Sequence, residues 1–68
     1  MEFRAYTVGE DGHLLAPVLI QGETDQSAIE QVKTMLNGHP IELWQESRML
    51  GWFERIDGNV VFLTTERG

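Results

Sequence analysis

Two histidines follow the same kind of turn in this chain of 68 residues. Asp11-Gly12-His13 leads into one apolar stretch, and Asn37-Gly38-His39 leads into another. Imidazole and carboxylate groups are ordinary ligands of divalent metals, so Asp11, His13 and His39 are candidates for a polar site that binds a metal or an anion. A histidine after a glycine turn also starts a strand, and the sequence has no second pair of ligands at close spacing. We therefore expect a structural role for these residues and no bound metal.

Aromatic residues form a second candidate site, which consists of Tyr6, Trp44, Trp52 and the neighbouring Leu50. Aromatic rings offer a large contact area at low entropic cost, and both protein interfaces and ligand platforms use them. We expect these residues to serve a homodimer interface or the core. The alternative is a platform that stacks on a flat aromatic ligand such as a flavin.

The residue types that nucleophilic catalysis needs are absent or badly placed. The chain has no cysteine, which excludes disulfides and thiolate metal sites. Ser27 and Ser47 lack the flanking glycines of a nucleophile elbow, neither histidine has an evident serine partner, and no glycine-rich phosphate loop is present. The sequence therefore predicts a protein that is not an enzyme and carries no cofactor.

The composition of the chain limits the classes of partner that we expect. Eleven acidic residues against five basic ones give a formal net charge of −6, and the basic residues are scattered along the chain. Because nucleic-acid binders need a basic patch, nucleic acid is not expected as a partner. Residues 1–4 lack the apolar stretch of a signal peptide, and no apolar run approaches the ~20 residues of a membrane span. We expect a cytoplasmic protein that does not bind membranes.

The elements that position these side chains can be predicted from the periodicity of the chain. Residues 3–8 alternate between two faces and predict a strand, and residues 14–20 predict a second strand that completes a hairpin over residues 3–21. Pro17 cannot donate a ladder hydrogen bond, which places the second strand at a sheet edge.

A helix over residues 25–37 follows. Its apolar residues recur on one face, Thr24 or Asp25 can cap its start, and the spacing of Ser27 and Glu30 is that of a capping box. Gly38 and the proline two residues later end it. Alternation then predicts strands over residues 41–45, 49–56 and 60–64, with a type I′ turn at Asp57-Gly58.

This order of elements predicts one α+β domain over residues 1–68. The topology is ββαββ(β), and a right-handed crossover gives a mostly antiparallel sheet in the order 2-1-3-4-5, covered on one face by the single helix. Both Gly-His turns then lie at the same end of the sheet, on strands roughly 10 Å apart.

Alternation also predicts which side chains face the helix. Phe3, Ala5, Ile41 and Leu43 should point towards it, which places Tyr6 and Trp44 on the helix-free face. On the fourth strand, Met49 and Phe53 share one face, whereas Leu50 and Trp52 share the other. A patch formed by Tyr6, Trp44, Leu50 and Trp52 would be large for a monomer. A chain this short usually needs a supplement to its core, and oligomerisation is the supplement that its composition favours. A homodimer is therefore expected.

The segments Asp11-Gly12-His13 and residues 37–45 (NGHPIELWQ) resemble a set of short bacterial proteins that are common among alphaproteobacteria. In those proteins a strand ends in a D-G-H turn, an acidic helix start follows, and a D-G-H-x-I/V-E-L-W-Q segment precedes a final strand. The resemblance covers about residues 3–56. Asn37 departs from the aspartate that is frequent there, and residues 57–68 extend beyond the likeness. The resemblance implies the α+β fold and no particular activity.

Overall fold

The structure, a computed structural model, describes residues 1–64 and contains one helix, α1 (Asp25–Met35). Thr24 caps it as predicted: this residue is extended, and its side chain accepts a hydrogen bond from the amide of Ser27 at 3.1 Å. The predicted capping box does not form, because the Glu30 carboxylate instead accepts hydrogen bonds from Gln26 and Lys33. The helix ends sooner than predicted, since the chain is already extended at residue 36.

Five strands form one sheet in the predicted order β2-β1-β3-β4-β5, and every neighbouring pair is antiparallel. This confirms the predicted α+β fold. The strands are β1 (Glu2–Thr7), β2 (Val18–Gln21), β3 (Ile41–Gln45), β4 (Arg48–Ile56) and β5 (Asn59–Leu63). Asp57 and Gly58 between the last two have φ of 51° and 81°, the positive values that a type I′ turn requires. The predicted end of the fifth strand at residue 64 is one residue too late.

The second strand is shorter than the sequence predicts. Residues 15–17 belong to no strand, and β2 begins only at Val18. Pro17 has no N–H to give to a ladder and its φ is fixed, which accounts for the late start. Leu14 keeps a single bridge to Val8, so the two arms of the predicted hairpin are still joined next to the turn.

The core lies between α1 and the sheet. Phe3, Ala5, Ile41 and Leu43 are all buried in one cluster with helix residues, which confirms that they face the helix. The ring of Phe53 in the same cluster stacks on Phe62 of β5, with centroids 4.6 Å apart. The full set of buried residues in this cluster is Phe3, Ala5, Ile20, Ala28, Val32, Leu36, Ile41, Leu43, Leu50 and Phe53.

The predicted position of Leu50 on the helix-free face is wrong. Leu50 is only 7% exposed and packs in the core cluster. The cause is a β-bulge: Leu43 pairs with Gly51 and Trp44 pairs with Met49, so Leu50 is the extra residue on β4. A bulge shifts the alternation of side chains by one residue. Met49 consequently lies opposite Trp44, whereas strict alternation assigned it to the other face.

The cap at Thr24 yields a first prediction. Thr24→Ala removes the acceptor of the Ser27 amide and should lower the free energy of unfolding by about 1 kcal/mol. Urea unfolding followed by circular dichroism measures this change, and Thr24→Ser is the matched control that retains the hydroxyl. Equal stability of the alanine variant and the parent would show that the cap contributes nothing.

Candidate functional site

Three aromatic side chains lie together on the sheet face that α1 leaves uncovered, and we call this surface the aromatic face. In the strand register Tyr6 lies opposite Glu42, and Glu42 lies opposite Trp52 on the next strand. Trp44 is two residues beyond Glu42 on β3 and therefore on the same side. All three residues are partly buried, and all three neighbour Glu42 on this face.

Both indoles donate their N–H groups to carboxylates on their own strands. Trp44 Nε1 donates to Glu42 Oε1 at 3.0 Å, and Trp52 Nε1 donates to Glu54 Oε1 at 3.2 Å. An indole has a single donor and no acceptor. With that donor satisfied within the chain, each ring can be buried against another surface without leaving an unpaired polar atom.

Two exposed leucines extend the aromatic face. Leu19 on β2 lies opposite Arg4, Leu63 on β5 lies opposite Trp52, and each is 57% exposed. Within residues 1–64 Arg4 makes no ion pair, although Glu42 and Glu54 are on the same face. The surface thus has an aromatic centre, an apolar margin and charges of both signs.

The two Gly-His turns lie at the same end of the sheet, as predicted. Val8 bridges to Leu14 after the first turn, and its amide donates to the carbonyl of Pro40 after the second at 2.9 Å. His13 contacts Asp11 within its own turn: the ring Nδ1 is 2.9 Å from Asp11 Oδ2, and the His13 amide donates to Asp11 Oδ1 at 3.1 Å.

This polar cluster is a local turn motif. Asp11 and His13 are both well exposed, and His39 takes no part in their hydrogen bonds. Among residues 1–64 no group of three or more His, Cys, Asp or Glu side chains is arranged to hold a metal ion. The geometry of Asp11 and His13 accounts for the first turn without a ligand.

A groove on the helix side of the sheet was not predicted from the sequence. It has a volume of about 430 Å³ and is lined by Ile29, Leu50 and Phe62, with the ion pair between Asp25 and Arg48 at its polar end. It exists because α1 packs on β2, β3 and β4 and leaves β5 less covered. The bulge that turns Leu50 inward supplies one wall, which alternation could not indicate.

Gly51 also has a role that the sequence analysis did not identify. A Cβ at this position would overlap Cε1 of Phe62 and lie 2.8 Å from the carbonyl oxygen of Leu63. The missing side chain allows the Phe62 ring to lie over β4. A glycine within an apolar strand was the available signal, since it often indicates close approach of another group.

In the part of the chain that the structure describes, α1 is too short and too polar to cross a membrane. Comparison of the chain with protein-family models, with curated proteins and with solved structures finds no match. The aromatic face, the turn cluster and the sheet edges are therefore the features of the chain that bear on its function.

Proposed function

We propose that this chain is a cytoplasmic interaction module, not an enzyme, that forms a homodimer through its aromatic face. The observation that carries the proposal is the pair of indoles whose only donors are already satisfied by Glu42 and Glu54. Their ring faces are available for burial without leaving an indole N–H unpaired. Partly buried aromatic residues at the centre of a surface, with leucines around them, are typical of interface hot spots.

The charges on the aromatic face allow a second copy as the partner. Arg4 lies opposite Trp44 and has no ion-pair partner within residues 1–64, while Glu2, Glu42 and Glu54 present carboxylates on the same face. In a two-fold interface each copy contributes the same surface, so Arg4 of one copy can meet a carboxylate of the other. A partner with only acidic groups there would instead be repelled.

The size of the chain supports the same proposal. A domain of this length buries only about 60% of the surface of its unfolded chain, which leaves a thin margin of stability. The chain has no disulfide to add to that margin. Burial of the aromatic face in a dimer would stabilise the folded chain through mass action.

A flat aromatic ligand is the second candidate for the aromatic face. The hydrogen bonds that hold Trp44 and Trp52 also fix the orientation of their rings, which would suit stacking. This function and the dimer differ in native mass spectra, because a bound ligand adds mass to each species and a dimer only multiplies the 7.8 kDa of the chain.

Trp44→Glu is the direct test of the proposed dimer. The change places a carboxylate at the centre of the face, next to Glu42, so we expect the dissociation constant of the dimer to rise by about 30-fold or more. Native mass spectrometry and sedimentation velocity over a concentration series measure the change.

Leu15→Glu is the matched control for this variant. Leu15 is 53% exposed, lies outside every strand and is not on the aromatic face, yet the substitution adds the same charge. It should leave the dimer unchanged. If Trp44→Glu stays folded by circular dichroism and associates like the parent, the aromatic face is not the interface.

A further inference from the structure

The two edges of the sheet differ in how they are protected. A strand edge exposes unpaired N–H and C=O groups, and proteins usually protect it with proline, charge, a bulge or a covering element. At the β2 edge, Pro17 immediately precedes a strand of only four residues. The Gln31 side chain of α1 also donates to the carbonyl of Gln21 at 2.7 Å, which occupies part of that edge.

Within residues 1–64 the β5 edge has none of these protections. Residues 59–63 read Asn-Val-Val-Phe-Leu, without charge or proline, and the register with β4 is regular from Asn59 to Leu63. The two-residue turn that joins β4 to β5 is closed by a hydrogen-bonded pair of residues. The backbone N–H and C=O groups of Asn59, Val61 and Leu63 therefore point towards β4. Those of Val60 and Phe62 point outward and have no partner within residues 1–64.

The outward backbone N–H and C=O groups of Val60 and Phe62 determine the register in which another strand can pair with β5. If a second β5 approaches antiparallel about a two-fold axis at Val61, Val60 of each copy lies opposite Phe62 of the other. Both members of each pair have outward N–H and C=O groups, so the arrangement forms four hydrogen bonds. A shift of one residue would place outward groups against inward ones and lose this match.

The side chains also fit this register. On the helix side, Val60 of one copy lies beside Phe62 of the other, at the margin of the groove formed by Ile29, Leu50 and Phe62. On the opposite side the two Val61 residues meet at the axis. No charged residue lies between Gly58 and Thr64, so pairing opposes no like charges although the chain carries −6.

We infer that β5 is a strand-addition edge that takes β5 of a second copy and extends the five-stranded sheet to ten strands. This contact lies in the plane of the sheet, whereas the proposed dimer covers its face, so the two are geometrically independent. Pairing of five residues buries little surface and should be weak. It therefore joins chains or face-to-face dimers only at high concentration, and both contacts together give a closed tetramer when their two-fold axes intersect at right angles.

Amide hydrogen exchange measured by NMR tests the edge directly. The amides of Val60 and Phe62 should exchange severalfold more slowly at about 1 mM than at about 20 μM protein, because pairing follows mass action. The inward amides of Val61 and Leu63 are internal references that report on unfolding. The same measurement on Trp44→Glu distinguishes pairing at the β5 edge from association through the aromatic face. If amide exchange still slows with concentration in this variant, the slowing does not depend on the face-to-face dimer.

Fast exchange of Val60 and Phe62 at both concentrations would overturn the inference, and so would slow exchange that does not depend on concentration. Val60→Pro supplies a second measurement. It removes one outward donor and leaves the ladder to β4 intact, so the association step at high concentration should be lost while the face-to-face dimer remains. If this variant fails to fold, the exchange data on the parent chain still decide the question.

Discussion

Gly51→Ala should destabilise the domain by about 1–3 kcal/mol, a large part of the total for a chain of this size. The added Cβ would overlap Cε1 of Phe62 and lie 2.8 Å from the Leu63 carbonyl oxygen. The ring can rotate away only by leaving its stack on Phe53, and the carbonyl can move only if β5 shifts from β4. Urea unfolding followed by circular dichroism measures the loss.

Two variants separate the causes of this effect. Gly22→Ala is the matched control, because its Cβ would come no nearer than 3.3 Å to any neighbour, and it should change stability by less than about 1 kcal/mol. Gly51→Ala combined with Phe62→Ala removes the clash with the ring but retains the clash with the carbonyl. If Gly51→Ala alone is as stable as the parent chain, the close approach of β5 to β4 is wrong.

Phe53→Ala should have the largest effect, a loss of about 3–5 kcal/mol. Phe53 is fully buried, and its ring stacks on Phe62 with an angle of 17° between the planes. A single core in a chain this short rarely supplies more than about 3–5 kcal/mol, so we expect this variant to be largely unfolded at 25 °C. Circular dichroism and the dispersion of the NMR spectrum measure this outcome.

Phe53→Leu keeps the prediction measurable if the alanine variant cannot be purified. It retains most of the buried apolar area and should cost about 1–2 kcal/mol, with cooperative unfolding. Because association stabilises the folded state, all variants need comparison at one protein concentration. A folded Phe53→Ala variant with the stability of the parent would contradict the described core.

Local signals in the sequence were enough to predict most of the fold. The bounds of β3, the cap at Thr24 and the turn at Asp57-Gly58 each depend on residues within one element or turn. The strand order followed because short connections and a right-handed crossover allow few arrangements. Pro17 correctly predicts that the second strand lies at a sheet edge. The sequence analysis does not predict that this proline also delays the start of the strand.

The error at Leu50 has a different origin. A bulge arises from pairing between two strands, so it cannot be read from the alternation within β4 alone. Tyr6 and Trp52 keep their predicted face because each lies opposite Glu42. Trp44 keeps it because the extra residue of the bulge is on β4, which leaves the alternation along β3 unchanged. The groove and the open β5 edge likewise depend on which strands α1 covers, which the order of elements does not specify.

Self-association through the aromatic face is the central proposal, and the mass of the unmodified chain in solution tests it most directly. Native mass spectrometry and sedimentation over a range of concentrations should show an even multiple of 7.8 kDa, with a dimer at the lowest concentrations that still show association. The same preparation of Trp44→Glu should be monomeric there. A parent chain that stays monomeric throughout would contradict the proposed homodimer.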